Sequence, residues 1–132
     1  MKILSFLIFS ILLNITIGQP HPSQENIIDN VVKAIKAMDA EKLSTYFSET
    51  VDLEAGESDG SFSNTQAKII FKQFFNDYPL TSFSLNHQGS SNDGSKYFIG
   101  TYKTSKAEYR LYVLMKSQDE KMSIQEIQFE ED

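Results

Sequence analysis

The chain has no cysteine and no tryptophan, and among its 132 residues there are only two histidines and three prolines. Without thiols there is no disulfide, no thiolate zinc or iron–sulfur site, and no cysteine to carry a lipoprotein's acyl chain. His21 and His87 alone offer too little for a histidine-rich centre, so neither a metal nor a cofactor is expected. Cations are scarce as well: twelve Lys and Arg stand against eighteen Asp and Glu, and the net charge is −6. Binding to a phosphate backbone draws its affinity from clustered Lys and Arg, and no such stripe is present; nucleic acid is therefore not an expected partner.

Long apolar runs are missing too. The one extended stretch, residues 3–13 after Met1 and Lys2, falls short of the roughly 20 residues that cross a bilayer. Its length, the basic start, and the small residues Thr16 and Gly18 before a Gly18-Gln19 bond fit a cleavable signal peptide over residues 1–18. The expectation is export, periplasmic or secreted, with no stable membrane insertion after cleavage. Cleavage removes Lys2 and no acid, so the remainder becomes more acidic. Residues 19–24, including Pro20-His21-Pro22, read as a flexible tail, and residues 25–132 as a single α+β domain. Of the ten Phe and six Tyr in the full sequence, all but Phe6 and Phe9 lie beyond residue 18, and they supply the apolar packing that must replace disulfides.

Ile28, Val31, Val32, Ile35 and Met38 recur at spacings of three and four, the buried stripe of a first helix for which Ser23 can serve as N-cap. Asp39 caps a second, shorter helix carrying Leu43, Tyr46 and Phe47. A brief strand at residues 51–54 and the turn at residues 56–60 predict a small hairpin. Ser63 and Gln66 form a capping box ahead of a third helix with Ala67, Ile70, Phe71, Phe74 and Tyr78 on one stripe, stopped by Pro79. The period then falls to two. Four strands in an antiparallel meander are expected, the first with Phe83, Leu85 and His87 on one face, then a turn at residues 89–94. The second runs over residues 96–104 and the third over residues 108–116. In the third, Tyr109, Leu111, Val113 and Met115 oppose Glu108, Arg110, Tyr112, Leu114 and Lys116. In the fourth, residues 122–130, the apolar phase changes, and a bulge near Gln125-Glu126 accounts for it.

This order of elements resembles the nuclear-transport-factor-2-like, or cystatin-like, α+β cone: N-terminal helices packed on a curved, mostly antiparallel sheet. A closer resemblance is to an uncharacterised family of exported bacterial proteins, a domain of unknown function numbered 4783. It rests on Lys42-Leu43-Ser44-x-Tyr46-Phe47, Val51-Asp52-Leu53, Ser63-x-x-Gln66-Ala67, His87-Gln88-Gly89, Gly94-Ser95-Lys96-Tyr97-x-Ile99-Gly100-Thr101 and Tyr109-Arg110-Leu111-Tyr112. The resemblance implies a fold and an exported bacterial origin, and no established activity.

Some enzymes of the cone, isomerases and dehydratases, hold a carboxylate base on the strand after the second helix, pointing inward. Here alternation that buries Val51 and Leu53 turns Asp52 and Glu54 outward and puts Leu53 where the catalytic acid would stand, so no catalytic residue is assigned. The candidate ligand-binding residues are His87, Tyr97, Tyr109 and Arg110. His87 fits either a general base or a histidine hydrogen-bonded to a neighbouring strand; Tyr97, Tyr109 and Tyr112 either line a concave face or simply pack. Arg110 either binds an anion or pairs with a carboxylate on its own face. Acidic residues near the C-terminus and the turns at residues 58–60 and 92–94 lack the ligand frame of a calcium loop. Two functions remain: a non-enzymatic binding or interaction module using the concave sheet face, or a small-molecule enzyme with His87 and a tyrosine as acid–base pair in the cone. For the first, the partner is an unknown protein, a second copy, or an apolar small ligand, with Tyr102, Tyr112 and Leu114 as a modest patch.

Overall fold

A computed structural model describes residues 26–132; the expected signal segment, the tail, His21 and Ser23 lie outside them. Three helices, α1 (Ile27–Lys36), α2 (Ala40–Ser44) and α3 (Asn64–Asp77), pack against one sheet of six strands. The strands are β1 (Phe47–Ala55), β2 (Ser58–Ser63), β3 (Leu80–Ser90), β4 (Lys96–Thr104), β5 (Glu108–Gln118) and β6 (Lys121–Glu131). Their order across the sheet is β2-β1-β6-β5-β4-β3. All neighbours are antiparallel except β1 and β6, whose parallel pairing joins the hairpin to the meander.

The first helix takes its cap from Asn26, not Ser23: the Asn26 side chain accepts the Ile28 N–H at 3.0 Å. At its other end Met38 N–H donates to Ile35 O and Asp39 N–H to Ala34 O, a Schellman closure. That closure puts Met38 at φ +52, a place usually filled by glycine, and turns its side chain out of the expected stripe. Asp39 caps α2 as its sequence predicts, accepting Lys42 N–H at 2.9 Å. Tyr46 and Phe47 are not helical. Tyr46 O accepts the Ile124 N–H at 2.7 Å, so pairing with β6 begins here and β1 is longer than the expected brief strand.

The capping box is present on α3: Ser63 Oγ accepts Gln66 N–H at 3.2 Å and Gln66 Oε1 accepts Ser63 N–H at 3.4 Å. Its buried face is wider than the sequence stripe. Phe75 joins Ala67, Phe71 and Phe74, because its ring reaches Tyr102 and Phe129 of the sheet. Phe74 meets Phe129, Tyr102, Tyr109, Tyr78 and Phe75 with ring centroids 4.6 to 6.1 Å apart, while Phe71 adds Phe47 and Phe129. These rings fill the space between helix and sheet, where offset and edge-on contacts add to area burial. Tyr102, fully buried, satisfies its hydroxyl by donating to Tyr78 O at 2.7 Å.

Bulges decide which side chains face which way. Gln125 is extra in β6, since Leu114 pairs with Glu126 and Met115 with Ile124; Ile124, Ile127 and Phe129 therefore all reach the core despite their change of phase. In β3 the extra residues are Thr81 and Asn86. Phe83 and Leu85 pair with Tyr102 and Gly100 on the helix-covered face, but past Asn86 the strand is out of phase and His87 pairs with Ile99 on the open face. The expected grouping of His87 with Phe83 and Leu85 is thus broken by one residue. Gly100 has its own reason: a Cβ there would stand 2.8 Å from Phe83 Cζ and 2.9 Å from the Ser84 carbonyl oxygen.

Three outcomes follow from this packing. Gly100→Ala, meeting both the Phe83 ring and the Ser84 carbonyl oxygen, is expected to cost about 1–3 kcal/mol in urea unfolding. At the β5–β6 turn Asp119 and Glu120 both hold positive φ, +51 and +63, so Glu120→Gly should raise stability by about 0.5–1 kcal/mol in the same assay. Burial, with the neighbouring Tyr109 second, pushes the Tyr102 hydroxyl above its ordinary range. An unfolded tyrosine ionises near pH 10, about the ordinary value, so above it the unfolded chain releases a proton the folded chain keeps. Stability should hold below that pH and fall above it, and in Tyr102→Phe, less stable overall, alkaline melts should show a shallower fall.

Candidate functional site on the open sheet face

Alternation along the strands sorts the polar and aromatic residues onto the face without helices. Tyr97 and Ile99 of β4, and Tyr112 and Leu114 of β5, lie cross-strand to one another, with Tyr97 opposite Leu114 and Ile99 opposite Tyr112. All four are half-buried by their neighbours although no helix among the described residues covers them. His87 adjoins this cluster: its Nε2 lies 2.8 Å from the Tyr97 hydroxyl, and the two rings are tilted with centroids 5.5 Å apart. The Tyr97 ring lies across Gly89, where a Cβ would come within 2.9 Å of its Cε1 and hydroxyl oxygen. Glycine at residue 89 is therefore what lets Tyr97 lie flat on β3 and reach His87.

The polar residues around the cluster are held in place. Gln128 Nε2 donates to Glu126 Oε1 at 2.6 Å, and Ser61 Oγ donates to Asp52. Burial first, and then the nearby Glu126 charge and Tyr97, raise the Tyr112 hydroxyl above its ordinary range, so Tyr112 is a neutral donor there at neutral pH. Arg110 Nη1 stands 3.8 Å from Glu130 Oε2 in a half-exposed cross-strand pair, an arrangement worth little in stability. Charge is distributed unevenly. Asp59 of β2, Asp52 and Glu54 of β1, and Glu126 and Glu130 of β6 share this face on one side, and Arg110 and Lys116 of β5 with Lys103 of β4 on the other, where Glu108 sits opposite Lys103.

Of the four candidate residues, His87 and Tyr97 touch and Arg110 shares their face. Tyr109 does not: it is buried on the helix-covered side, against Phe74, Tyr78 and Tyr102, its hydroxyl raised first by burial and then by Tyr78 and Glu131. Tyr102 likewise leaves the expected patch with Tyr112 and Leu114 for the core. Asp52 and Glu54 point away from the interior and Leu53 into it, as alternation predicts. Ile99, Glu126 and Gln128 complete the cluster. Alternation alone put Tyr112 and Leu114 on one face, but only the register across the turn at Ser105 and Lys106 brings them against Tyr97 and Ile99. On the helix side an open groove of about 810 Å³ runs between the α1–α2 corner and α3, bordered by Met38, Asp39, Ile69, Lys72 and Pro79. No group of three His, Asp or Glu stands close enough for a metal ion among the described residues.

The sequence profile of the family described as Domain of unknown function (DUF4783) matches residues 28–130. A DUF4783 family protein from Bacteroides uniformis is 25% identical, with a TM-score of 0.75 over 81% of this chain and 98% of that one. An NTF2-like protein of unknown function from Pseudomonas putida superposes with a TM-score of 0.62 at 10% identity, over 79% and 80% of the two chains. A domain of unknown function with a cystatin-like fold from Nostoc punctiforme gives 0.62 at 14% identity, over 80% and 72%. No curated protein matches the chain. A helical layer on a six-stranded, unclosed, mostly antiparallel sheet, matched along nearly its whole described length, places the chain in the DUF4783 family, with the NTF2-like and cystatin-like α+β fold.

Proposed function

We propose that the chain is an exported, non-enzymatic binding module that docks a protein partner on the open face of its sheet. The observation that carries this reading is the cluster of Tyr97, Ile99, Tyr112 and Leu114 at the centre of a face that no helix among the described residues covers. Tyrosines of this kind bring large, rigid contact area and a hydroxyl at small entropic cost, and they are enriched among residues that dominate interface energy. Around them His87, Gln128, Arg110 and Glu126 offer donors and acceptors, as the polar rim of an interface does. The division of charge across the face favours a partner that carries the opposite gradient. The acid–base enzyme reading needs a ligand-sized cavity between α3 and the sheet, where the aromatic rings pack, and it needs His87 inside it.

Export is part of the same proposal, supported by the short apolar run and the Thr16-x-Gly18 site. Intact-mass analysis of protein recovered outside the cytoplasm should give the mass of residues 19–132; retention of the full-length mass in the cytoplasm would remove the export step.

For the face itself, a photo-crosslinking side chain placed at Tyr112 in producing cells should yield one discrete heavier species, and the same side chain at Lys72 on the helix side should not. Tyr112→Ala should keep the far-ultraviolet dichroism of the parent and weaken binding to the identified partner by about tenfold or more. Crosslinks from position 72 but not 112 would move the function to the groove. Crosslinks joining two copies of the chain would identify the partner as itself, and co-purification of a bound apolar molecule would make it a small ligand.

A further inference from the structure

The sheet ends in two edges, β2 and β3, and the two are built differently. β2 has six residues, carries Asp59 and Gly60, and passes directly into the Ser63 cap of α3. A short charged strand running into a helix is a guarded edge. β3 has eleven residues, Leu80–Ser90, exposed except for the half-buried Leu80, Phe83 and Gly89, and it is the only one of the six described strands without an Asp, Glu, Lys or Arg. It contains no proline either. Its two bulges are drawn toward the inner neighbour: Thr81 Oγ1 donates to Lys103 O at 3.0 Å, and Asn86 Nδ2 donates to Thr101 Oγ1 at 2.7 Å. The stretches at residues 82–85 and 87–90 stay in regular register with β4, and among the described residues their outer edge pairs with no strand. Leu85, one of the few large apolar side chains left well exposed, stands on this edge at 38%.

We infer that β3 is a self-association edge, where two copies of the chain join antiparallel into one continuous sheet. The argument for a second copy is electrostatic. A chain with a net charge of −6 repels its own kind over most of its surface, and β3 is the one long edge at which two copies meet without bringing like charges together. Antiparallel self-pairing sets Ser, Thr, Asn and Gln side chains against one another and brings the exposed Leu85 of both copies to the seam, the kinds of cross-strand pair that stabilise sheets. The seam buries less area than a standard interface, so the dimer is a weak, concentration-dependent one. It also has a consequence for the open face. His87 lies on β3 itself, so pairing sets two His87–Tyr97 pairs on one uninterrupted surface, each copy contributing to it. The pairing does not depend on what that face binds.

The test is sedimentation velocity with light scattering on the purified protein, from about 1 μM to about 1 mM, for the parent and four charge variants. The parent should pass from the monomer mass to twice that mass within this range. Leu85→Lys and Ser84→Lys, which place cations on both sides of the seam, should remain monomeric throughout with unchanged melting temperature. Ile69→Lys, in the helix-side groove, and Leu114→Lys, on the open face, should dimerise as the parent does. Hydrogen exchange on the parent needs no variant to fold: amides of β3 should exchange at least tenfold more slowly in the concentrated sample than in the dilute one, and those of β2 should not. A parent that stays monomeric at about 1 mM, a dimer abolished by Leu114→Lys or Ile69→Lys while both β3 variants retain it, or β3 amides indifferent to concentration would each overturn the inference.

Discussion

The fold depends on one packing event, the insertion of Phe71, Phe74 and Phe75 from a single helix into a basin of rings on the sheet. A chain without cysteine has no covalent staple, and the described domain is small enough that one core must supply nearly all of its stability. Phe74 sits at the centre, 4.6 Å from Phe129 and 5.4 Å from Tyr109 by ring centroid. Around it the hydroxyl of Tyr102 reaches the Tyr78 carbonyl at the end of the helix, tying the stop before Pro79 to the middle of the sheet. The same rings that stabilise the fold occupy the interior in which cones of this kind can hold small molecules. Stability and an internal pocket compete for one volume, and in this chain the aromatics hold it.

With the interior filled, the remaining polar and aromatic residues lie on surfaces, and single-residue bulges decide what those surfaces carry. Asn86 is one extra residue in β3, yet it moves His87 from the helix-covered side to the side of Tyr97. Gln125 does the reverse service in β6, bringing Ile124 onto the same side as Ile127 and Phe129. A strand with period two has only these devices for changing which face it addresses.

Much of this was legible beforehand because it is local. Caps, a proline stop and alternation are set by neighbours within four residues, so the Asp39 cap, the Ser63–Gln66 box, the outward Asp52 and the Gln125 bulge could be read directly. The β6 bulge was visible because the apolar residues themselves change phase. The β3 bulge was not, since residues 86–90 give no apolar signal and the extra residue declares itself only against β4. Tyr109 and Tyr102 lie on the helix-covered side and not with Tyr97 and Tyr112 for a related reason: a tyrosine reads the same in sequence whether its hydroxyl meets solvent or a helix-end carbonyl. The Asn26 cap and the Met38 closure show the remaining limit, because Ser23 and Asn26 are both acceptable caps and no propensity favours methionine at positive φ.

The placement of charge follows from the same constraint. Once the rings have taken the interior, the polar residues must be distributed over two sheet edges, one open face and the helix exteriors. Carboxylates collect on β2, β1 and β6, cations on β5 and β4, and none of either on β3. Exposure of the backbone at a sheet edge is a hazard that charge ordinarily suppresses, and it is suppressed at β2 by brevity and Asp59. The longer edge relies only on two bulges that point toward its neighbour. Solubility alone would favour a lysine in those eleven residues, such as β4, β5 and β6 all carry; its absence from the most exposed strand marks the one edge where backbone pairing is tolerated.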